Sequence, residues 1–196
     1  MVIERVLRSV SLLMARIGGG LLLAAAILIA VEVAVRYLRI ASFSVGTELS
    51  SYALAVGASW SLAFVVFERA HVRIDVVPQR LPLRPKAILD ILGMASLAAV
   101  GVVLAAGGWE MFLTSVGLWA RANTTLGTPL AYPQGAWTFG LVWFTAIAFY
   151  RMTVAGVAFM KLNFAAVSAV AGSPSTDEEV EGAISETKQL LEKDAA

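Results

Sequence analysis

The chain has 196 residues, of which 59% are hydrophobic and 15% charged, with a net charge of +1. Soluble domains carry about a quarter charged residues, so this composition excludes an ordinary water-soluble fold. Cysteine is absent and His71 is the single histidine, which excludes disulfides, thiolate metal sites, cysteine nucleophiles, bis-histidine haem ligation within the chain and a histidine-rich metal centre.

The apolar residues come in blocks. Crossing the hydrocarbon core of a bilayer takes about 20 apolar residues at about 1.5 Å rise each. Four segments qualify: Ile17–Leu38, Leu49–Phe67, Ile88–Gly107 and Ala136–Phe159. Pro78, Pro82, Pro85, Pro129, Pro133 and Pro174 all fall outside them, where they break no intrahelical hydrogen bond. The expected fold class is an all-α integral membrane protein with four transmembrane helices. Residues 1–165 are expected to form the membrane domain and 166–196 a polar, acidic cytoplasmic tail.

The first segment has a basic flank, Arg5, Arg8 and Arg16. Its apolar run exceeds the 7–15 residues or so of a signal-peptide core, and Ala24–Ala26 lie inside the run, so it is expected to stay as an anchor. Its outer turns carry Glu32 and Arg36, four apart and hence on one helix face. Ionisable groups in a span are costly and functional by default, and one reading is a carboxylate that carries protons or binds a cation. The favoured reading is a neutralised pair facing another helix or a subunit, with Arg36 reaching the interface, since a carboxylate held by arginine is poorly suited to proton cycling.

Ser42–Tyr52 reads as either a loop or a short interfacial helix leading into the second segment. Glu48 stands before that segment, where its charge complements a helix N-terminus, and Asp90 has the same explanation at the third. Between them runs the most polar connection, E-R-A-H-V-R-I-D-V-V-P-Q-R-L-P-L-R-P-K, residues 68–86. His71 and Asp75 fall four apart and would form an acid–base pair on a helix, but no nucleophile, second histidine or glycine-rich phosphate loop accompanies them. The chain is therefore expected to be neither an enzyme nor a cofactor or nucleic-acid binder. A charged elbow that fixes helix orientation, or grips a neighbouring subunit or anionic lipid, fits better.

Trp109, Trp119 and Trp137 cluster about the third and fourth segments on the proposed outer side, where indoles favour the headgroup layer. Trp109–Trp119 either prolongs the third helix or lies along the interface. The stretch Ser173–Ala196 carries seven acidic residues against Lys188 and Lys193. Within it Thr176 to Glu179 reads as a capping box, and Val180, Ile184, Thr187 and Leu191 share one helix face. A solvated tail is expected ahead of a helix that docks on a partner.

Lysines and arginines near the segment ends set orientation. Arg5, Arg8, Arg16, Arg69, Arg73, Arg80, Arg84, Lys86, Arg151 and Lys161 fall on one side, against Arg36, Arg39 and Arg121 on the other. Both termini are therefore expected in the cytoplasm.

The first segment closes on V-E-V-A-V-R-Y, G-T-E-L-S-S-Y leads into the second, and F-E-R-A-H-V-R-I-D-V-V-P-Q-R-L-P follows it. This order resembles the small membrane subunit, the DctQ-type or Q component, of tripartite ATP-independent periplasmic (TRAP) transporters. The positions that carry the likeness are Arg36, Tyr37, Glu48, His71, Arg73, Asp75, Leu81 and Pro82. The later T-T-L-G-T-P-L-A-Y-P-Q-G, with Pro129, Pro133 and Gly135, is similar to the family's approach to its last helix. The likeness covers about residues 5 to 160, and the acidic tail lies outside it.

The resemblance implies a non-catalytic subunit of the bacterial inner membrane that does not itself carry the solute. Its implied partners are a large elevator-type membrane subunit, a periplasmic solute-binding protein and membrane lipids, in a system driven by sodium and serving organic acids. Glu32, Arg36, Tyr37, Glu48, His71, Arg73 and Asp75 are then expected in subunit-interface or structural roles, with no catalytic, substrate or metal site. The alternatives are an autonomous proton-coupled four-helix transporter using Glu32, or a membrane assembly or anchoring protein.

Overall fold

The computed structural model describes residues 2–38, 45–69, 81–124 and 126–172, together with positions 180, 184, 185, 187, 188 and 191. The helices are α1 (Val2–Tyr37), α2 (Gly46–Phe67), α3 (Leu83–Gly117), α4 (Ala131–Met160) and α5 (Phe164–Ala171). The first four are each long and apolar enough to cross a membrane. Among the described residues there is no strand, only an isolated bridge between Arg121 and Pro129.

Each spanning helix outruns the apolar segment that announces it. Residues 2–17 contain neither glycine nor proline, so the helix continues through arginines that lower hydropathy without lowering helix propensity. For Trp109–Trp119 the prolonged helix holds as far as Gly117, and the chain then turns at Trp119, whose φ is +51°. Residues 46–52 are the opening turns of α2 itself and not a separate interfacial helix. Pro85 and Pro133, outside the apolar segments, lie inside the first turns of α3 and α4. There the missing N–H has no intrahelical partner to lose.

The helices pack as a row, α1 on α2, α2 on α4 and α4 on α3, with α5 lying against α3 and α4. In its most apolar window α4 is 33% buried and α1 only 17%, which makes α4 the centre of the row and α1 its edge. Lipid tails are as apolar as leucine, so spans associate through close backbone approach and interhelical hydrogen bonds. At the crossing of α1 and α2, a Cβ on Gly18 would lie 2.8 Å from the Gly57 carbonyl oxygen, and one on Gly57 2.9 Å from that of Gly18. Gly140 gives α4 the same intimacy with Ser59 and Trp60 of α2.

Polar side chains staple these seams. Trp60 Nε1 donates to the Ala136 carbonyl at 2.9 Å, Trp143 Nε1 to Ser11 Oγ at 3.0 Å, and Thr138 Oγ1 to the Gly108 carbonyl at 3.0 Å. Met94, Ile147, Val66 and Val167 form the fully buried centre toward the end where α2 and α4 finish.

Residues 166–171, assigned on sequence to the polar tail, are packed. Asn163 caps α5 by accepting the Ala166 N–H at 3.1 Å, and Val167 and Ala171 are buried. Phe164 meets Phe159 edge-on at 5.6 Å, and the Arg84 guanidinium lies 5.8 Å over its ring.

Candidate functional site

The ionisable side chains that the described helices bury gather in two clusters, one at each end of the row. At the end where α1 closes and α2 begins, Glu32 is buried. Its Oε1 accepts Arg36 Nη2 at 2.5 Å and its Oε2 accepts the Gly46 N–H at 2.6 Å. The first four N–H groups of a helix lack intrahelical partners, and Val45 supplies no side-chain cap. A carboxylate from α1 therefore does that work for α2. Arg36 remains more than half exposed while pairing with it, as expected of a long side chain whose head reaches an interface.

Glu48, in the first turn of α2, is buried too. It accepts the Tyr52 hydroxyl at 2.8 Å and the hydroxyl of Thr124 from the α3–α4 connection. That connection is a small folded hairpin. Ala122 N donates to Thr128 O at 2.9 Å, Leu130 N to Ala120 O at 3.0 Å, and Arg121 Nη1 to Gly127 O at 3.1 Å. Gly127 takes φ +57° at its turn, a conformation glycine adopts without a Cβ penalty. Glu48 thus ties the hairpin joining α3 and α4 to the start of α2.

The opposite end is built around Arg151, 6% exposed. Its Nη1 donates to Glu4 Oε1 at 3.2 Å, its Nη2 to the Val170 carbonyl at 2.7 Å, and its guanidinium lies 5.6 Å over the Phe67 ring. One side chain so joins the start of α1, the end of α2, α4 and α5. Beside it Arg8 pairs with Glu68 at 2.7 Å, joining α1 to the end of α2. Asp90 departs from its sequence explanation. It lies two turns inside α3 and is buried, where it accepts Ser168 Oγ of α5 at 2.9 Å instead of facing a helix N-terminus.

Of the residues singled out on sequence, Glu32, Arg36 and Glu48 thus meet at one end. Tyr37 closes α1 fully exposed, at 86%. His71, Arg73 and Asp75 lie outside the described residues. Pro82 stands immediately before α3 with ψ 157°, as its N-cap. Sequence reading passed over Arg151 as a site: it served as an end marker, although an arginine nine residues before the close of α4 is a charge inside an apolar segment. No sequence signal marks Ser168, Ser11 or Thr124, whose hydroxyls matter only through what folding brings opposite them.

Replacing Glu32 with alanine removes the partner of Arg36 and of the Gly46 N–H together. Hydrogen bonds to charged groups contribute about 1.5–3 kcal/mol each. The variant is expected to melt measurably lower than the parent in detergent, and an unchanged melting temperature would contradict the structural role.

Four spanning helices in a row, with polar groups tied at both ends, define a multi-pass membrane protein. The family model for tripartite ATP-independent periplasmic transporters, DctQ component, matches residues 8–159. The chain belongs to that family and is the small membrane component of such a transporter. No curated protein and no solved structure matches it.

Proposed function

We propose that this chain is the stationary, non-catalytic scaffold subunit of a sodium-coupled TRAP transporter for organic acids. It pairs with the large elevator-type membrane subunit in the bacterial inner membrane and supports docking of the periplasmic binding protein. The observation that carries this reading is the use made of the buried ionisable groups. Glu32, Glu48, Asp90 and Arg151 each tie one element of the chain to another. Such ties hold helices in one mutual arrangement, as a scaffold requires. A carrier needs its charged groups at a site near the bilayer midplane between parts that rock.

The surface left over fits a membrane partner. Leu23, Val103 and Leu54 are among many large apolar side chains exposed on the spans, ready for lipid or for another subunit's helices. Tyr37 and the exposed head of Arg36 at one end, and His71, Arg73 and Asp75 in the elbow, are the polar positions assigned to contact with the large subunit. The excess of lysine and arginine on the elbow side supports an orientation with both termini in the cytoplasm.

The chain has no cysteine, so single thiols report on both claims. In intact spheroplasts a thiol at Leu118→Cys is expected to react with a membrane-impermeant maleimide, and one at Met160→Cys only after lysis. The reverse pattern would overturn the orientation. Co-expressed with its large membrane partner, the chain is expected to copurify as a stable complex; recovery of self-associated chain alone would overturn the scaffold reading.

A further inference from the structure

We propose that the first half of α1, residues 2–17, is a binding surface for anionic lipid of the cytoplasmic leaflet. The choice of leaflet rests on both termini facing the cytoplasm.

At about 100° per residue, this half of α1 divides into three faces. Leu7, Ser11, Met14 and Gly18 make the face packed on the rest of the row. Ile3, Val6, Val10, Leu13 and Ile17 make a second, an apolar stripe 38–67% exposed. Arg5, Arg8, Ser9 and Arg16, all exposed, make the third, centred roughly 120° from the stripe. Arg8 pairs with Glu68, whereas Arg5 and Arg16 enter no ion pair among the described residues.

Two features set this surface at membrane depth. Gly18 meets Gly57, midway along the 22-residue α2, so residues 9–17 run beside the second half of a span. The stripe also passes without a break into the span through Leu21, Ala24 and Val31, all exposed. From Ile3 to Val31 it measures about 42 Å, against about 30 Å for the hydrocarbon core. A line that long fits when α1 is inclined by roughly 30–45° from the bilayer normal. With the basic face turned to the cytoplasm, the stripe lies in the acyl layer and the arginines among the headgroups. Upright, the helix would hold Arg16 about 12 Å deeper than Arg8, inside the core where an unpaired charge is costly.

The chemistry of the two exposed faces selects lipid. From Ile3 to Ile17 the stripe holds only branched aliphatic side chains. It lacks the small and hydrogen-bonding residues through which spans associate, and acyl chains match it. Guanidinium groups bind phosphate oxygens with charge-assisted hydrogen bonds, and the anionic leaflet draws basic segments to its surface. The acidic stretch 173–196 would neutralise the arginines but leave the stripe uncovered.

The test uses the full chain assembled with a cysteine-free form of its large membrane partner, in liposomes of phosphatidylcholine and phosphatidylglycerol. The chain has no cysteine, so Leu13→Cys and Ser9→Cys each carry a single label. A nitroxide at Leu13→Cys is expected to collide chiefly with oxygen, and one at Ser9→Cys chiefly with a water-soluble nickel chelate. A bimane at Leu13→Cys is expected to be quenched by brominated phosphatidylglycerol with an association constant about tenfold above that of brominated phosphatidylcholine. The preference should fall to about twofold or less in Arg5→Gln/Arg16→Gln and persist in Arg5→Lys/Arg16→Lys, which keeps both charges. A Leu13→Cys probe reached by neither oxygen nor brominated lipid means that protein covers the stripe, and overturns the proposal. So does a preference that survives the glutamine pair, is lost in the lysine pair, or arises only in a chain ending at Gly172, where the acidic tail had been the cover. An external thiol at Met160→Cys overturns the orientation and the leaflet assigned with it, while the contrast between the two lipids tests the surface itself.

Discussion

Replacing Gly140 with leucine is expected to force α2 away from α4 and to lower the melting temperature more than a change at any open glycine. A Cβ at this position would lie 2.5 Å from Ser59 Oγ, 2.7 Å from Trp60 Cδ1 and 2.9 Å from the Ser59 carbonyl carbon. The last of these is backbone and has no rotamer by which to escape. The shift would also strain the bond from Trp60 Nε1 to Ala136 O and the edge contact of Trp60 with Phe139 at 6.2 Å. Overpacking of this kind costs about 1–3 kcal/mol, and more where the backbone must move. A chain of this size loses about 2–4 °C per kcal/mol, so a cost at the upper end of that range, about 3 kcal/mol, lowers the midpoint in detergent by about 6–12 °C. Gly156, in the same helix, has nothing within 4 Å of its missing Cβ, and leucine there should move the midpoint by no more than about 2 °C. Equal shifts at the two positions would mean that the seam between α2 and α4 is not where α4 is held.

The second large effect is at Arg151. Removing one partner of a buried ion pair costs about 3–5 kcal/mol when the other charge is left stranded. Here Glu4 is 48% exposed against 7% for Arg151, so it regains water and the loss falls toward the low end. What Arg151→Leu removes without compensation is the bond to the Val170 carbonyl, together with the cation over the Phe67 ring. The consequence should be local, a loosened α5. Lys161 lies exposed between α4 and α5, and trypsin cutting there requires the linker to open. Cleavage tracks the population of the open form when opening is fast, so a loss of about 1.4 kcal/mol or more accelerates it at least about tenfold. Glu4→Gln leaves the Arg151 bond to the Val170 carbonyl in place and keeps an amide oxygen able to accept from the guanidinium, so α5 stays held and its cleavage rate should stay near the parent's. If Glu4→Gln accelerates cleavage as much as Arg151→Leu, the ion pair holds α5 and the contact with Val170 does not.

The existence and type of the four long helices were legible because about 20 consecutive apolar residues leave few other solutions. Their ends were less so. Hydropathy stops at Ile17 and Gly107, but no proline interrupts the backbone over 2–16 or 108–117, and Val2–Arg16 and Gly108–Gly117 are helical as well. The pair Glu32 and Arg36 could be read from a spacing of four within a single helix. The third member of that cluster, the Gly46 N–H, could not, because it arrives from the next helix. Asp90 shows the same limit. A short distance from an apolar segment's start suggested a terminal charge, whereas the helix begins two turns earlier and the carboxylate faces Ser168 of α5. The segment Phe164–Ala171 is too short to register as a span, and the expected boundary at residue 165 divides it, leaving 166–171 with an acidic tail for which they are too apolar. Its place is set by Arg151 and Asp90, which lie 13 and 74 residues from Phe164 along the chain.

The central claim is that these helices are scaffold and not pathway, and solute uptake into proteoliposomes tests it most directly. With an inward sodium gradient, the chain reconstituted alone is expected to give no uptake of organic acids above that of empty liposomes. Uptake should appear when the large membrane subunit and the loaded periplasmic binding protein are added to it. Gradient-driven uptake by this chain alone, abolished by Glu32→Gln, would contradict the scaffold account and make Glu32 a coupling site.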